Sequence, residues 1–232
     1  LLRHEDTAEG ESRFGMLEII RAYALERLID SGEMEALRAQ HAGYFGEVII
    51  NRIGYQQLYS AKALHWLNWL EREHDNIRAT LTWRLTTPGS GELGAGLVIV
   101  LNWFWYRRGY FIEGRLWTER VLTSPLMQAA SPHRAMALLS SGLLAMWLGK
   151  QDIALAQLQE SLAIEQKLED KQRLAPLLMG NAVALINMGR DSAAQPLFEQ
   201  ALAMFMEQNN AIFHALTLVH LGNAELGLGH PE

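Results

Sequence analysis

The chain has 232 residues, 49% of them hydrophobic and 20% charged, with a net charge of −6 at pH 7 and no cysteine. That balance is ordinary for a globular protein, while the lack of cysteine excludes disulfides, thiolate metal sites and cysteine nucleophiles and is compatible with a cytoplasmic location. Lys and Arg are spread without a run, so no stripe for neutralising phosphates is present and direct nucleic-acid binding is not expected.

In chain order, residues 1–5 and 13–18 read as two short strands around a polar turn containing Gly10. Ile20, Tyr23, Ala24 and Leu28 then form a helical stripe, closed by Asp30-Ser31-Gly32. Leu37, His41, Tyr44, Phe45 and Val48 form a second, and Leu64, Leu67 and Leu70 open a third. Asp75 reads as the N-cap of a fourth helix carrying Ile77, Leu81 and Leu85. Gly89-Ser90-Gly91-Glu92-Leu93-Gly94 fits the G-x-G-x-x-G pattern, but a dinucleotide site needs a strand before its glycines. Residues 76–85 read as helix, so a flexible inter-helix loop is expected instead. The longest apolar stretch, 93–106, contains Gly94, Gly96 and Asn102 and is shorter than the ~20 residues a bilayer requires. It reads as a buried helix, and no membrane segment is expected.

From there the chain repeats. Gly109, Gly149, Gly189 and Gly229 follow one another at 40-residue intervals, as do Leu122, Leu162 and Leu202, and the small residues Gly114, Ala154 and Ala194. Leu178, Ala182 and Leu185 before Gly189, and Ala194, Phe198, Ala201 and Phe205 after it, make two amphipathic helices. The glycine supplies the left-handed turn between them. Leu138, Gly142 and Ala145, then Ala154, Leu158, Ser161 and Leu162, repeat the plan around Gly149; Val98, Leu101, Trp105 and Arg108, then Gly114, Trp117, Val121 and Leu122, do so less regularly around Gly109. Asp170-Lys171 and Asn209-Asn210 mark the turns between units. The expected fold is all-α, a right-handed superhelix of antiparallel helical hairpins with a short β-hairpin at the N-terminus.

Such hairpins resemble tetratricopeptide repeats, on the strength of Gly189-Arg190-Asp191, Leu221-Gly222-Asn223 and the small residues of each second helix. The 40-residue period exceeds the usual 34 and would also suit HEAT or armadillo units. The run from Arg13-Phe14-Gly15-Met16-Leu17-Glu18 to Leu28, the segment Trp69-Leu70-Glu71-Arg72-Glu73-His74-Asp75-Asn76-Ile77-Arg78-Ala79 and Trp105-Tyr106-Arg107-Arg108-Gly109 resemble bacterial STAND regulators, signal-transducing ATPases with numerous domains, including LuxR-type and antibiotic-regulatory members. The resemblance implies that 1–20 is the tail of a winged-helix domain, 21–87 a helical bundle and 88–232 the repeat array. It also implies a missing ATPase domain as a partner within one chain, because no Gly-x-x-x-x-Gly-Lys-[Ser/Thr] phosphate loop or helix-turn-helix occurs here. The first residue is Leu1 rather than Met, and Gly229-His230-Pro231-Glu232 falls within the repeat pattern, so a piece of a longer protein is expected.

Catalytic chemistry finds no support, and neither an enzyme nor a cofactor is expected. Glu71 and His74 fall on one helix face, half of a carboxylate-bridged metal motif, but no second copy faces them. A hydrogen-bonded or solvated histidine is expected. The candidate contacts come from comparing the repeats. One row on the first helix of each hairpin is Trp103, Leu143, Val183 and Asn223; the next is Arg107, Trp147, Asn187 and Gly227. In stacked hairpins these helices line the concave surface, so Trp103, Tyr106, Arg107, Trp147, Asn187 and Asn223 are expected to face a groove. The competing expectation is that the tryptophans pack between neighbouring hairpins. A protein, peptide or small-molecule effector in that groove, sensed by a regulator, is the leading functional expectation. Its rivals are a constitutive docking scaffold and an accessory region of a cyclase or kinase.

Overall fold

A computed structural model describes residues 2–6, 12–168 and 171–227; Gly10, Asp170 and Gly229 lie outside these. The chain forms two compact units, Leu1–Tyr44 and Phe45–Glu232. In the first, β1 (Leu2–Asp6) and β2 (Ser12–Met16) pair antiparallel, with Leu2 opposite Met16 and Asp6 opposite Ser12. Strand β2 ends two residues earlier than expected, because Glu18 already opens α1 (Glu18–Asp30), where it binds Arg21 at 2.8 Å. The stripe Ile20, Tyr23, Ala24 and Leu28 lies on α1, none of whose residues is buried. Gly32, at φ 76°, ends the helix where Asp30-Ser31-Gly32 was expected to.

Helix α2 (Met34–Glu47) runs into a π-helical turn, Val48–Ile53, which buries Val48, Ile49 and Ile53 and ends at Gly54. There follow α3 (Gly54–Gln57), α4 (Ala63–Arg72) and α5 (His74–Thr86). Leu67 and Leu70 are buried on α4 with Trp69, but Leu64 is 66% exposed and belongs to no core stripe. Asp75 is not the N-cap of α5: that position is Glu73, and Asp75 sits within the first turn, 3.0 Å from Arg78. Ile77 and Leu81 are buried as their spacing requires.

The array consists of α6 (Gly91–Arg108), α7 (Phe111–Thr123), α8 (Pro132–Trp147), α9 (Gln151–Leu168), α10 (Lys171–Asn187), α11 (Asp191–Glu207) and α12 (Ala211–Gly227). Gly91 to Gly94 therefore belong to the first turn of α6 rather than to a loop, and Gly94 packs so tightly on Leu85 that a Cβ would stand 2.7 Å from Leu85 Cδ2. Each helix packs on the next, and α6, α8, α10 and α12 also pack on one another in sequence, so the first helices of the hairpins form a contiguous inner layer. This is an all-α stack of tetratricopeptide-like hairpins.

The recurring glycines have one physical cause. Gly109, Gly149 and Gly189 sit at φ 76°, 71° and 69°, a conformation costly for any residue with a Cβ. At each, the next amide turns back onto the helix it ends: Tyr110 N to Trp105 O at 2.8 Å, Lys150 N to Ala145 O at 2.9 Å, Arg190 N to Leu185 O at 2.8 Å. This is the six-to-one hydrogen bond of a Schellman cap. Asn209, at φ 52°, makes the same turn between α11 and α12, with Asn210 N to Phe205 O at 2.9 Å. The small residues have a packing cause. Gly114, Ala154 and Ala194 are buried, and a Cβ on Gly142 would stand 2.8 Å from Leu158 Cγ and 3.2 Å from the Ala154 carbonyl oxygen. The stripe Ala194, Phe198, Ala201 and Phe205 is fully buried along α11.

Candidate functional site

The inner layer lines a half-open cavity of about 410 Å³. Five of the six residues expected in the groove line it: Trp103 and Tyr106 from α6, Trp147 from α8, Asn187 from α10 and Asn223 from α12. The row Trp103, Leu143, Val183 and Asn223 lines it without a gap, one residue from each of four inner helices. Arg107 does not. It is exposed on α6, where its long side chain carries the guanidinium carbon to 5.6 Å from the Trp103 ring centroid. Neither tryptophan is sealed between hairpins; Trp103 is half-buried and Trp147 is 44% exposed.

Two aromatic lining residues went unnoticed in the sequence. Tyr55, on α3, and Tyr59, in the turn that follows it, stand inside the inner layer. Tyr59 stacks on Trp103 with ring centroids 4.3 Å apart, and lies 5.1 Å from Phe213 of α12. Tyr55 stacks on Phe213 at 5.6 Å, and the two tyrosine hydroxyls are 3.0 Å apart. From Trp103 the aromatic contacts continue to Tyr106 at 5.0 Å and on to Trp147 at 5.2 Å. The available signal was an aromatic pair at i, i+4 following Gly54, in a stretch that carries no apolar stripe.

The lining also includes Leu139 and Leu143 of α8 and Met179, Val183 and Ile186 of α10. Among the described residues no Asp, Glu, Lys or Arg lines the cavity. Burial pushes the Tyr55 hydroxyl up and that of Tyr59 well up, and burial pushes the His220 imidazole down. Asn102 Oδ1 and the Trp103 indole nitrogen are buried without a hydrogen-bond partner. Asn187 spends one amide hydrogen on the Val183 carbonyl at 2.8 Å.

The pairing of Glu71 with His74 does not form. The chain breaks between α4 and α5 at Glu73, and the two side chains find separate partners. Glu71 accepts the Tyr110 hydroxyl and lies 3.2 Å from Arg108, while His74 Nε2 lies 3.2 Å from Glu113. Glu113 in turn takes both arms of Arg78, at 2.8 and 2.7 Å, fixing α5 to α7. Among the described residues no group of three or more His, Asp or Glu is placed to hold a metal ion, and no helix is long and apolar enough to cross a membrane.

Fold and cavity together define an α-helical repeat protein with a small-molecule-sized pocket on its inner layer. No family model matches the chain. It is 29% identical over 210 residues to a protein of Mycobacterium bovis named as an HTH-type transcriptional regulator, and equally to counterparts in two strains of Mycobacterium tuberculosis, CDC 1551 / Oshkosh and ATCC 25618 / H37Rv. The match takes in 84% of this chain and only 22% of the relatives, which are much longer. Among solved structures, BtubC (BKLC) from P. vanneervenii matches with a TM-score of 0.59 over 90% of this chain and 85% of its own, at 19% identity, a likeness of fold. The chain thus shares a helical-repeat region with bacterial transcription-associated proteins named as regulators rather than enzymes.

Proposed function

We propose that this chain is the effector-sensing region of a larger cytoplasmic regulator of the STAND type, with its site in the cavity of the inner layer. One observation carries the reading. Trp103, Leu143, Val183 and Asn223, one residue from each of four successive inner helices, converge on a single cavity, so an occupant would bridge hairpins that otherwise touch only their neighbours. A ligand that prefers one arrangement of the stack shifts the array toward it, and an attached domain would read that shift. The similarity to a segment of much longer proteins named as transcriptional regulators supports placing the array inside such a protein. In this reading residues 1–20 are the tail of a winged-helix domain, 21–87 a connecting bundle and 88–232 the sensor. The ATPase and DNA-binding parts belong elsewhere in the protein.

Two tests apply. The reading requires a phosphate loop and a helix-turn-helix encoded in the same open reading frame as this chain; a frame lacking both removes it. In a transcriptional reporter driven by the whole protein, Leu143→Trp, which fills the cavity, should abolish the response to the inducing condition. An unchanged response would remove the sensor role.

A further inference from the structure

The groove of a helical-hairpin array is commonly open along its length, whereas here residues 54–60 stand within it. Tyr59 rests on Trp103 of α6, and both Tyr55 and Tyr59 rest on Phe213 of α12, so the segment ties the first inner helix to the last. An amphipathic helix laid in a groove anchors side chains over two turns or more, and this segment occupies the course it would follow. What remains is a cavity of about 410 Å³, within the ~300–1,000 Å³ of small-molecule sites.

We propose that this cavity takes an uncharged, largely apolar small molecule rather than a peptide. This rests on the sensing role proposed above and names its ligand class. Among the described residues no Asp, Glu, Lys or Arg lines the space, so a charged ligand would lose its water without gaining a counter-charge there. Burial disfavours the charged forms of Tyr55, Tyr59 and His220. The aromatic rings offer flat surface, and Leu139, Leu143, Met179, Val183 and Ile186 add aliphatic surface to the lining.

The test compares two dyes that share a ring system. N-Phenyl-1-naphthylamine is neutral and carries one N–H donor; 8-anilinonaphthalene-1-sulfonate adds a permanent negative charge. Each is titrated into the 232-residue chain and followed by dye fluorescence. The neutral dye should bind one to one and at least tenfold more tightly than the sulfonate. Leu143→Trp and Val183→Trp fill the cavity from two different helices and should each weaken it at least tenfold. A variant with a lowered melting temperature is set aside, and the other decides. Equal or tighter binding of the sulfonate, no binding of the neutral dye, or binding undiminished by filling the cavity overturns the proposal. Failure of the sensing role reads differently: the dye binds in the cavity, yet cavity-filling variants leave reporter output unchanged.

Discussion

Tyr59 lies with its ring 4.3 Å from that of Trp103 and inclined by 24°, while another of its neighbours, Phe213, belongs to the last inner helix. One side chain from ahead of the array therefore joins both its ends. Tyr59→Ala should cost about 2 kcal/mol, less than a fully buried aromatic because Tyr59 is half-buried. A double-mutant cycle with Trp103→Ala should return a coupling of about 0.5–1.5 kcal/mol. Denaturant unfolding of the four proteins measures both, and additive effects would mean that the two rings do not stabilise one another.

Ala154 and Ala194 are fully buried in the second helices of their hairpins. Replacing either by Trp should overpack the stack and cost about 1–3 kcal/mol. Gly142→Ala should also destabilise, since its new Cβ meets backbone at the Ala154 carbonyl as well as the Leu158 side chain. A melting temperature equal to the parent's in the Ala194→Trp variant would show that the α10–α11 pairing is misassigned.

The hairpin turns provide their own control. Gly189→Ala forces a Cβ into φ 69° and should cost about 1–2 kcal/mol. Gly189→Asn should cost less, because Asn209 already holds the same conformation at φ 52° in the α11–α12 turn. Thermal melts of the two variants give the order directly, and Asn as damaging as Ala would contradict the cap assignment.

Glu113 anchors α7 to α5, and its ionisation makes that anchor pH-dependent. Burial alone would raise its carboxyl pKa, but the hydrogen bond from Arg78 and then the proximity of His74 and the Trp117 indole outweigh it, leaving the group below its ordinary value. A depressed carboxyl contributes stability that is fully present above the unfolded pKa, about 4.5, and is lost as the pH falls through the lower folded value. Glu113→Gln should cost about 1–2 kcal/mol at pH 7, allowing for the partial exposure of Arg78, and should flatten stability against pH below 4.5. Urea unfolding between pH 3 and 7 measures it; parallel curves for parent and variant would contradict the pairing.

The array was legible in the sequence because its geometry recurs. Helices α6, α8 and α10 end in the same cap, so a glycine of positive φ stands at 109, 149 and 189, and the alanines of the second helices keep the same interval. The rows on the inner helices followed from that register, which is how Trp103, Trp147, Asn187 and Asn223 were placed on one layer. Arg107 was assigned to the same layer by register alone, which fixes a Cα direction but not where a long side chain goes. Three features left no local mark. The break between α4 and α5 at Glu73 carries neither Gly nor Pro, so Glu71 and His74 read as one face. Leu64 fits a helical spacing but faces away from the core. The placement of Tyr55 and Tyr59 against α6 and α12 is a contact between residues far apart in sequence, which no period encodes.

The most direct test of the account is hydrogen–deuterium exchange of the 232-residue chain with and without saturating N-phenyl-1-naphthylamine. Slowed exchange in α6, α8, α10 and residues 54–60, with α7, α9 and α11 unchanged, is the predicted result. Protection confined to the outer helices, or none at saturation, would contradict the assignment of the inner cavity as the binding site.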